Sequence, residues 1–268
     1  MSPSSGFVLE ARGLNKTYRQ GKWWQKKFHC HAVENVSLAL RPHETLALVG
    51  ESGCGKTTLA MCLVGLVTPD SGQILIDGTN PESLGKSERA SIRREIQLIF
   101  QDSAGALNPR MSAIEIVEEP SLLRGQSRSQ RRKLAEQKME DVGISTKWKD
   151  RLPNEFSGGQ RQRLAIARAL MLRPKVLILD EVFVGLDLSI QGQIANLLID
   201  LQQAHGLSYI CISHNLALAA QFADTIAIMD RGRIVEKGSL EEFQRQHSMA
   251  LTQTASRPEA ALRAYSGA

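Results

Sequence analysis

Short apolar runs alternate with helical periods along this chain. Seven runs predict strands: Thr45–Val49, Gln73–Ile76, Ile96–Phe100, Val176–Asp180, Tyr209–Ser213, Ile226–Met229 and Arg233–Val235. Each is short, apolar and bounded by polar residues, as buried strands are. Ile194, Leu197, Leu198 and Leu201 recur at i, i+3, i+4 and i+7, which is one face of a helix. Further helices are expected at Thr57–Val67 and Gln160–Met171. Apolar runs separated by helices predict an α/β fold with parallel strands at its centre. From Asp102 to Leu170 no strand is evident, and polar helical segments such as Ser129–Val142 predominate. The run Arg131-Arg132-Lys133 within it reads as a solvated helix face. The expected organisation is an α/β core from residues 1–101 and 171–246, a helical subdomain over 102–170, and a loosely held Ala-, Ser- and Thr-rich tail over 247–268.

Composition narrows the class. The chain has 268 residues, 42% hydrophobic and 23% charged, which excludes disordered and collagen-like proteins. A chain this long buries a core without metal or disulfide staples. No apolar run approaches the ~20 residues of a membrane helix. Met1–Gly6 lacks the basic and apolar segments of a signal peptide, so a cytosolic chain is expected. Cys30, Cys54, Cys62 and Cys211 are scattered, with no C-x-x-C pair, and read as free thiols. The net charge of +5 suits an anionic ligand. All of it arises in residues 1–30, where six basic side chains face one acid, so a general nucleic-acid-binding surface is not expected. The run Lys22-Trp-Trp-Gln-Lys-Lys-Phe28 reads as a solvated hairpin, with contact to anionic lipid or a partner subunit as the alternative.

Two motifs carry chemistry. Gly50-Glu51-Ser52-Gly53-Cys54-Gly55-Lys56-Thr57-Thr58 fits G-x-x-x-x-G-K-[ST], after a strand and before a helix. The glycines let backbone N–H groups turn toward phosphate oxygens, and the helix dipole favours the same anion. Lys56 is placed to reach the β- and γ-phosphates, and the Thr57 hydroxyl to ligate Mg²⁺. In Val176–Glu181, four apolar residues end in two carboxylates at the strand's C-terminal end, where open α/β sheets bind ligands. Asp180 is suited to Mg²⁺, and Glu181 to polarising the water that attacks the γ-phosphate. Together these define a P-loop NTPase core with a mixed sheet. Ser157, Gly158, Gly159 and Gln160 open a helix, with Ser157 a candidate N-cap. They form a second anion site, about 100 residues from the first, for which a second subunit's nucleotide is a natural ligand.

With its flanking residues, Phe156-Ser-Gly-Gly-Gln-Arg-Gln-Arg163 resembles the signature motif of the ATP-binding cassette (ABC) family. The resemblance extends over about residues 8 to 240. Tyr18 resembles the aromatic that stacks on adenine, a strand-surface aromatic being the alternative. Gln101 resembles the glutamine that contacts Mg²⁺ and couples the site to the helical insertion. Leu186-Asp187 resembles the loop that crosses the dimer interface, and His214 the histidine that contacts the γ-phosphate. The resemblance implies a head-to-tail nucleotide-sandwich dimer. In it Lys56, Thr57, Gln101, Asp180, Glu181 and His214 serve the chain's own ATP, while Ser157, Gly158 and Gly159 cover the partner's. Closure on ATP and opening after hydrolysis would supply the power stroke. The family usually follows Asp-Glu with Pro-Thr-Ser-Ala-Leu-Asp, whereas this chain has Val182-Phe-Val-Gly-Leu-Asp187, which removes hydroxyls from that loop.

The runs Phe100–Arg110 and Asn154–Arg163, with the long insert Arg19–His31, are similar to the importer branch for oligopeptides, dipeptides and nickel. That branch implies a second, generally different, cassette chain, two membrane-spanning permease subunits and an extracytoplasmic substrate-binding protein, with the cassettes peripheral on the cytoplasmic face of the inner membrane. The branch's C-terminal His-Pro-Tyr motif is absent, His247 offering only a faint counterpart. No cysteine follows Cys211, so the iron–sulfur cluster of some members is not expected. A cassette from another transport class is the alternative. A soluble cassette of DNA repair or translation fits less well, for want of long coiled coils or a tandem cassette.

Overall fold

The computed structural model describes residues 6–20, 28–101 and 105–245. Residues 22–27 of the basic aromatic run, residues 102–104 of the run from Phe100, and the 247–268 tail lie outside the described residues. The chain divides into two compact units, residues 1–93 with 208–268 and residues 94–207.

The first unit holds two sheets. In one, β1 (Leu9–Gln20) pairs antiparallel with β2 (Phe28–Leu40) and, on its other side, with a later strand, Ser71–Ile76. Both long strands are bulged. Gly13 and Asn35 adopt positive φ (57° and 48°), and the register shifts around them, so inward-facing positions change phase along each strand. The other sheet centres on β3 (Thr45–Val49), every residue of which is buried. Helix α1 (Lys56–Leu63) follows β3, and the Ser71–Ile76 strand named above is β4. Helix α1 stops well short of Val67 because Gly65 turns the chain at φ 74°. A short polar helix, α2 (Lys86–Arg93), closes the unit's first segment.

The second unit begins with β5 (Ile96–Ile99) and continues through α3 (Ala113–Glu118), α4 (Arg128–Asp141) and α5 (Gly158–Leu170) to β6 (Val176–Asp180), which pairs parallel with β5. Between β5 and β6 there is no strand among the described residues. The charge run in α4 is not simply a solvated face. Arg131 donates to the Gln126 carbonyl at 2.6 Å, Arg132 lies 3.8 Å from the buried Glu118 carboxylate, and of the three Lys133 alone is exposed. Helix α6 (Leu188–His205) ends the unit, burying Ile194, Leu197, Leu198 and Leu201 as their spacing requires.

The chain then re-enters the first unit through β7 (Ser208–Ser213), α7 (Leu216–Ala219), β8 (Thr225–Asp230) and β9 (Arg233–Ser239). Strands β7 and β8 flank β3 in parallel, and β9 adds an antiparallel edge to β8. This makes a mixed sheet with the P-loop strand at its centre. Ala47, Val49, Ile226 and Ile228 pack with Leu216, Ala219 and Phe243 on one of its faces. Among the described residues, no helix is long and apolar enough to cross a membrane.

Candidate functional site

The P-loop joins β3 to α1. Gly50 follows the buried strand, and a Cβ there would sit 2.2 Å from the Met229 carbonyl oxygen. Gly55 is the N-cap of α1 at φ 111°, where a Cβ would meet the Ala32 carbonyl oxygen at 1.9 Å. Both positions therefore exclude any side chain. Gly53 has φ 82° but open space around it, so its need for glycine is conformational alone. No side chain caps α1, and its first turn carries no acid. The start of α1 thus presents the positive end of the helix dipole to an anion, with no acidic side chain competing for it.

Lys56 is 4% exposed. Its ammonium donates to the carbonyls of Gly50 (2.7 Å) and Glu51 (2.8 Å) and lies 3.9 Å from the Cys54 Sγ. The lysine spans the loop and holds it in its phosphate-cradling shape. Burial pushes the Cys54 thiol pKa up, against the pull of Lys56, so this cysteine is a packing group and not a nucleophile. Glu51, Ser52 and Thr57 are exposed at the same loop. His214, just beyond β7, is exposed as well, and Asn215 beside it caps α7.

Tyr18 lies on β1 opposite Cys30 and is 36% exposed. The Lys16 ammonium sits 5.8 Å from its ring centroid.

The second unit holds the carboxylate pair. Asp180 ends β6 and is buried. Glu181 follows at φ 50°, in the left-handed region that a non-glycine residue enters at a cost. The turn after it is built by backbone bonds from Val184 N to the Glu181 carbonyl (3.1 Å) and from Leu186 N to the Phe183 carbonyl (3.4 Å). A residue that sequence reasoning missed completes it. The Gln191 side-chain amide donates to the carbonyls of both Phe183 (3.1 Å) and Leu186 (3.0 Å). Nothing in the pattern marks Gln191, because its partners are backbone atoms. Asp187 is the N-cap of α6, is exposed, and makes no side-chain capping bond, so its carboxylate is available for other contacts.

Gln101 is exposed just after β5. Ser157 caps α5 as its sequence predicts. Its hydroxyl accepts from Gln160 N (3.3 Å), and the Gln160 side chain accepts from Ser157 N (2.9 Å). A Cβ on Gly159 would come 2.7 Å from Ile190 Cγ2, so the start of α5 packs too closely on α6 to carry a side chain there. Gly158, half-buried, has ordinary clearance. A groove of about 550 Å³ also lies in this unit, lined by Phe100, Pro120, Leu122, Ala165, Ala169 and Leu172, with Phe100 and Leu122 strongly exposed.

The family profile described as ABC transporter matches residues 33–184, more than half of the chain. The chain belongs to the ABC transporter family. Among curated relatives, this cassette is 46% identical over 235 residues to a probable peptide ABC transporter ATP-binding protein of Sinorhizobium fredii, covering 87% of this chain and 67% of that protein. It is 43% identical to a probable D,D-dipeptide transport ATP-binding protein of Escherichia coli, covering 89% and 74% of the two chains. Among solved structures, the dimeric post-hydrolysis state of an ATP-binding cassette bound to ADP and Pi aligns with a TM-score of 0.75 at 29% identity, over 87% of this chain and 98% of that one. The cassette cbiO1 from Clostridium perfringens, part of the complex cbiONQ, aligns at 0.80 and 27%, over 96% and 98%. The α/β P-loop NTPase fold expected from the sequence is thereby established for this cassette.

Proposed function

We propose that this cassette binds and hydrolyses ATP and energises the import of peptides through separate membrane subunits. The observation that carries this is the P-loop. Two glycines there admit no Cβ, the helix N-terminus is uncapped, and a buried lysine spans the loop, all suited to a nucleotide triphosphate. The peptide and dipeptide transport names of the two relatives support the substrate class, with nickel as the second reading from the branch resemblance.

In this reading the γ-phosphate is met by Lys56 and His214, and Glu181 orients the attacking water and takes its proton. Thr57, Gln101 and Asp180 offer only oxygen donors, which suits Mg²⁺ and not a softer ion. Mg²⁺, when bound with the nucleotide, would neutralise charge on the β- and γ-phosphates. Tyr18 stacks on the adenine. Ser157, Gly158, Gly159 and Gln160, with Asp187, serve the nucleotide of a second cassette chain in a sandwich dimer. The 102–170 segment is the helical subdomain that responds to nucleotide through Gln101. Its apolar groove beside Phe100 is suited to protein contact, since exposed apolar grooves of this kind mark such sites. Two permease subunits and an extracytoplasmic binding protein complete the assembly, which holds the cassette at the cytoplasmic face of the membrane.

The test is ATP binding and phosphate release by the purified chain, alone and with its co-expressed permease subunits, in wild type and Lys56→Ala. Wild type should hydrolyse ATP and respond to peptide in the full assembly, and the variant should lose nucleotide binding. Unchanged ATP affinity in Lys56→Ala would overturn the P-loop assignment. An assembly stimulated by nickel but not by peptides would replace the substrate class.

A further inference from the structure

The base end of the nucleotide site contains an arrangement that neither the motif pattern nor the family assignment uses. Lys16 precedes Tyr18 by two residues on β1, so both side chains project from the same face of the strand. The Lys16 ammonium donates to the Thr68 carbonyl (2.9 Å) and to Asp70 Oδ1 (2.8 Å), and it lies 5.8 Å from the Tyr18 ring centroid. That distance is within the range in which an ammonium is held by an aromatic face. Asp70 is itself fixed from β1: its Oδ2 accepts from Thr17 N (2.7 Å), and its own N–H donates to the Asn15 carbonyl (2.8 Å). Three successive residues of β1 are therefore bonded to the 68–70 segment, which follows α1, the helix that starts at Lys56.

We propose that Lys16 is a positioning residue that fixes the Tyr18 ring relative to the P-loop helix and covers one of its faces, leaving the other to receive the adenine base. This rests on the reading of Tyr18 as the adenine platform. An exposed tyrosine near the end of a bulged strand would otherwise sample several rotamers, and ordering it on binding would cost affinity. The bond to Asp70 raises the lysine pKa above its ordinary 10.5, so the cation persists across any assay pH. An ammonium on one face also draws electron density from the ring, which favours stacking by an electron-rich purine on the other.

The experiment compares ATP with inorganic tripolyphosphate, which keeps the phosphates and lacks the base, on the full chain. Lys16→Met, which keeps the aliphatic stem, should weaken ATP binding roughly three- to tenfold by restoring the ring's freedom. Tripolyphosphate affinity and kcat should not change, while KM for ATP rises. Lys16→Arg, which can donate to both oxygens and lie on the ring, should restore ATP affinity. Tyr18→Ala is measured in parallel. If it weakens ATP selectively and Lys16→Met does not, the role of Lys16 is overturned and the adenine platform stands. If Tyr18→Ala changes neither ligand, the platform reading falls and Lys16 with it. Equal weakening of both ligands in Lys16→Met would show a structural strut and not base positioning.

Discussion

Glu181 joins the proposed role of general base to a strained backbone, and two substitutions separate them. At φ 50° the residue pays about 1–2 kcal/mol for the left-handed region. Glutamine pays the same, so Glu181→Gln leaves the backbone cost unchanged while removing the basic carboxylate. A positioned general base is worth about 10²- to 10⁴-fold, or roughly 3–5 kcal/mol of barrier. Glu181→Gly removes the same carboxylate and relieves the backbone, but glycine costs about 0.5–1 kcal/mol of chain entropy. On these backbone terms alone, glycine is between equal to glutamate and about 1.5 kcal/mol more favourable. The assay is steady-state phosphate release at saturating ATP, with ATP affinity and the urea midpoint measured on the same preparations. Both variants should bind ATP normally and lose turnover by similar factors. Turnover in Glu181→Gln within about threefold of wild type would refute the base assignment. A glycine variant markedly less stable than Glu181→Ala, which lacks the same side chain but keeps the backbone cost, would refute the strain argument.

Other substitutions probe the supporting geometry. Gly55→Ala places a Cβ 1.9 Å from the Ala32 carbonyl at φ 111°, and backbone strain with overpacking should cost about 2–6 kcal/mol in denaturant unfolding. Gly53→Ala, at φ 82° in open space, should cost only about 1–2 kcal/mol. Gln191→Ala removes both amide bonds to the loop after Glu181 and should lower kcat with little change in KM for ATP. Gln191→Glu should not rescue it, because a carboxylate has no proton to donate. The Glu115 carboxylate accepts from the Ser112 N–H (2.8 Å) and hydroxyl (2.9 Å), and these bonds hold its pKa below 4.5. Its contribution is present above the unfolded pKa and is lost as pH falls through the lower folded value. The stability gap between wild type and Glu115→Gln should therefore close as the pH falls through that lowered folded pKa.

The parts of the fold that could be read are those whose residues answer to one demand. Thr45–Val49 and Val176–Asp180 are observed over the expected residues, because strands buried on both faces need an unbroken apolar run. Ser157 is a cap because its hydroxyl can accept from the N–H of Gln160, three residues on, while the Gln160 side chain reaches back to it. By contrast, β1 and β2 were not expected, since the bulges at Gly13 and Asn35 shift the alternation that would reveal them. The half-buried state of Arg131 and Arg132 is not legible in the charge run, because sequence gives their charge but not the carbonyl and carboxylate they turn toward. The left-handed backbone of Glu181 carries no sequence signal, because glutamate is not a residue that prefers it.

The departure at Val182–Gly185 is narrower in consequence than its sequence suggests. Val182 and Phe183 are 2% and 3% exposed, so two of the four altered side chains join the core and present nothing outward. The loop's shape is set by backbone bonds to the Glu181 and Phe183 carbonyls and by the Gln191 amide, none of which needs a hydroxyl. The strain at Glu181 is held by this frame, because a residue in a disfavoured region stays there only where its surroundings over-determine it. What changes is the surface. Val184, 42% exposed, stands where the family usually has serine, and Leu188, 85% exposed, follows just after Asp187. The loop thus offers an exposed carboxylate flanked by two apolar side chains. In the proposed sandwich dimer, a partner cassette meeting this loop would gain apolar contact and forgo the exposed hydroxyl, while the backbone frame around Glu181 would be unchanged.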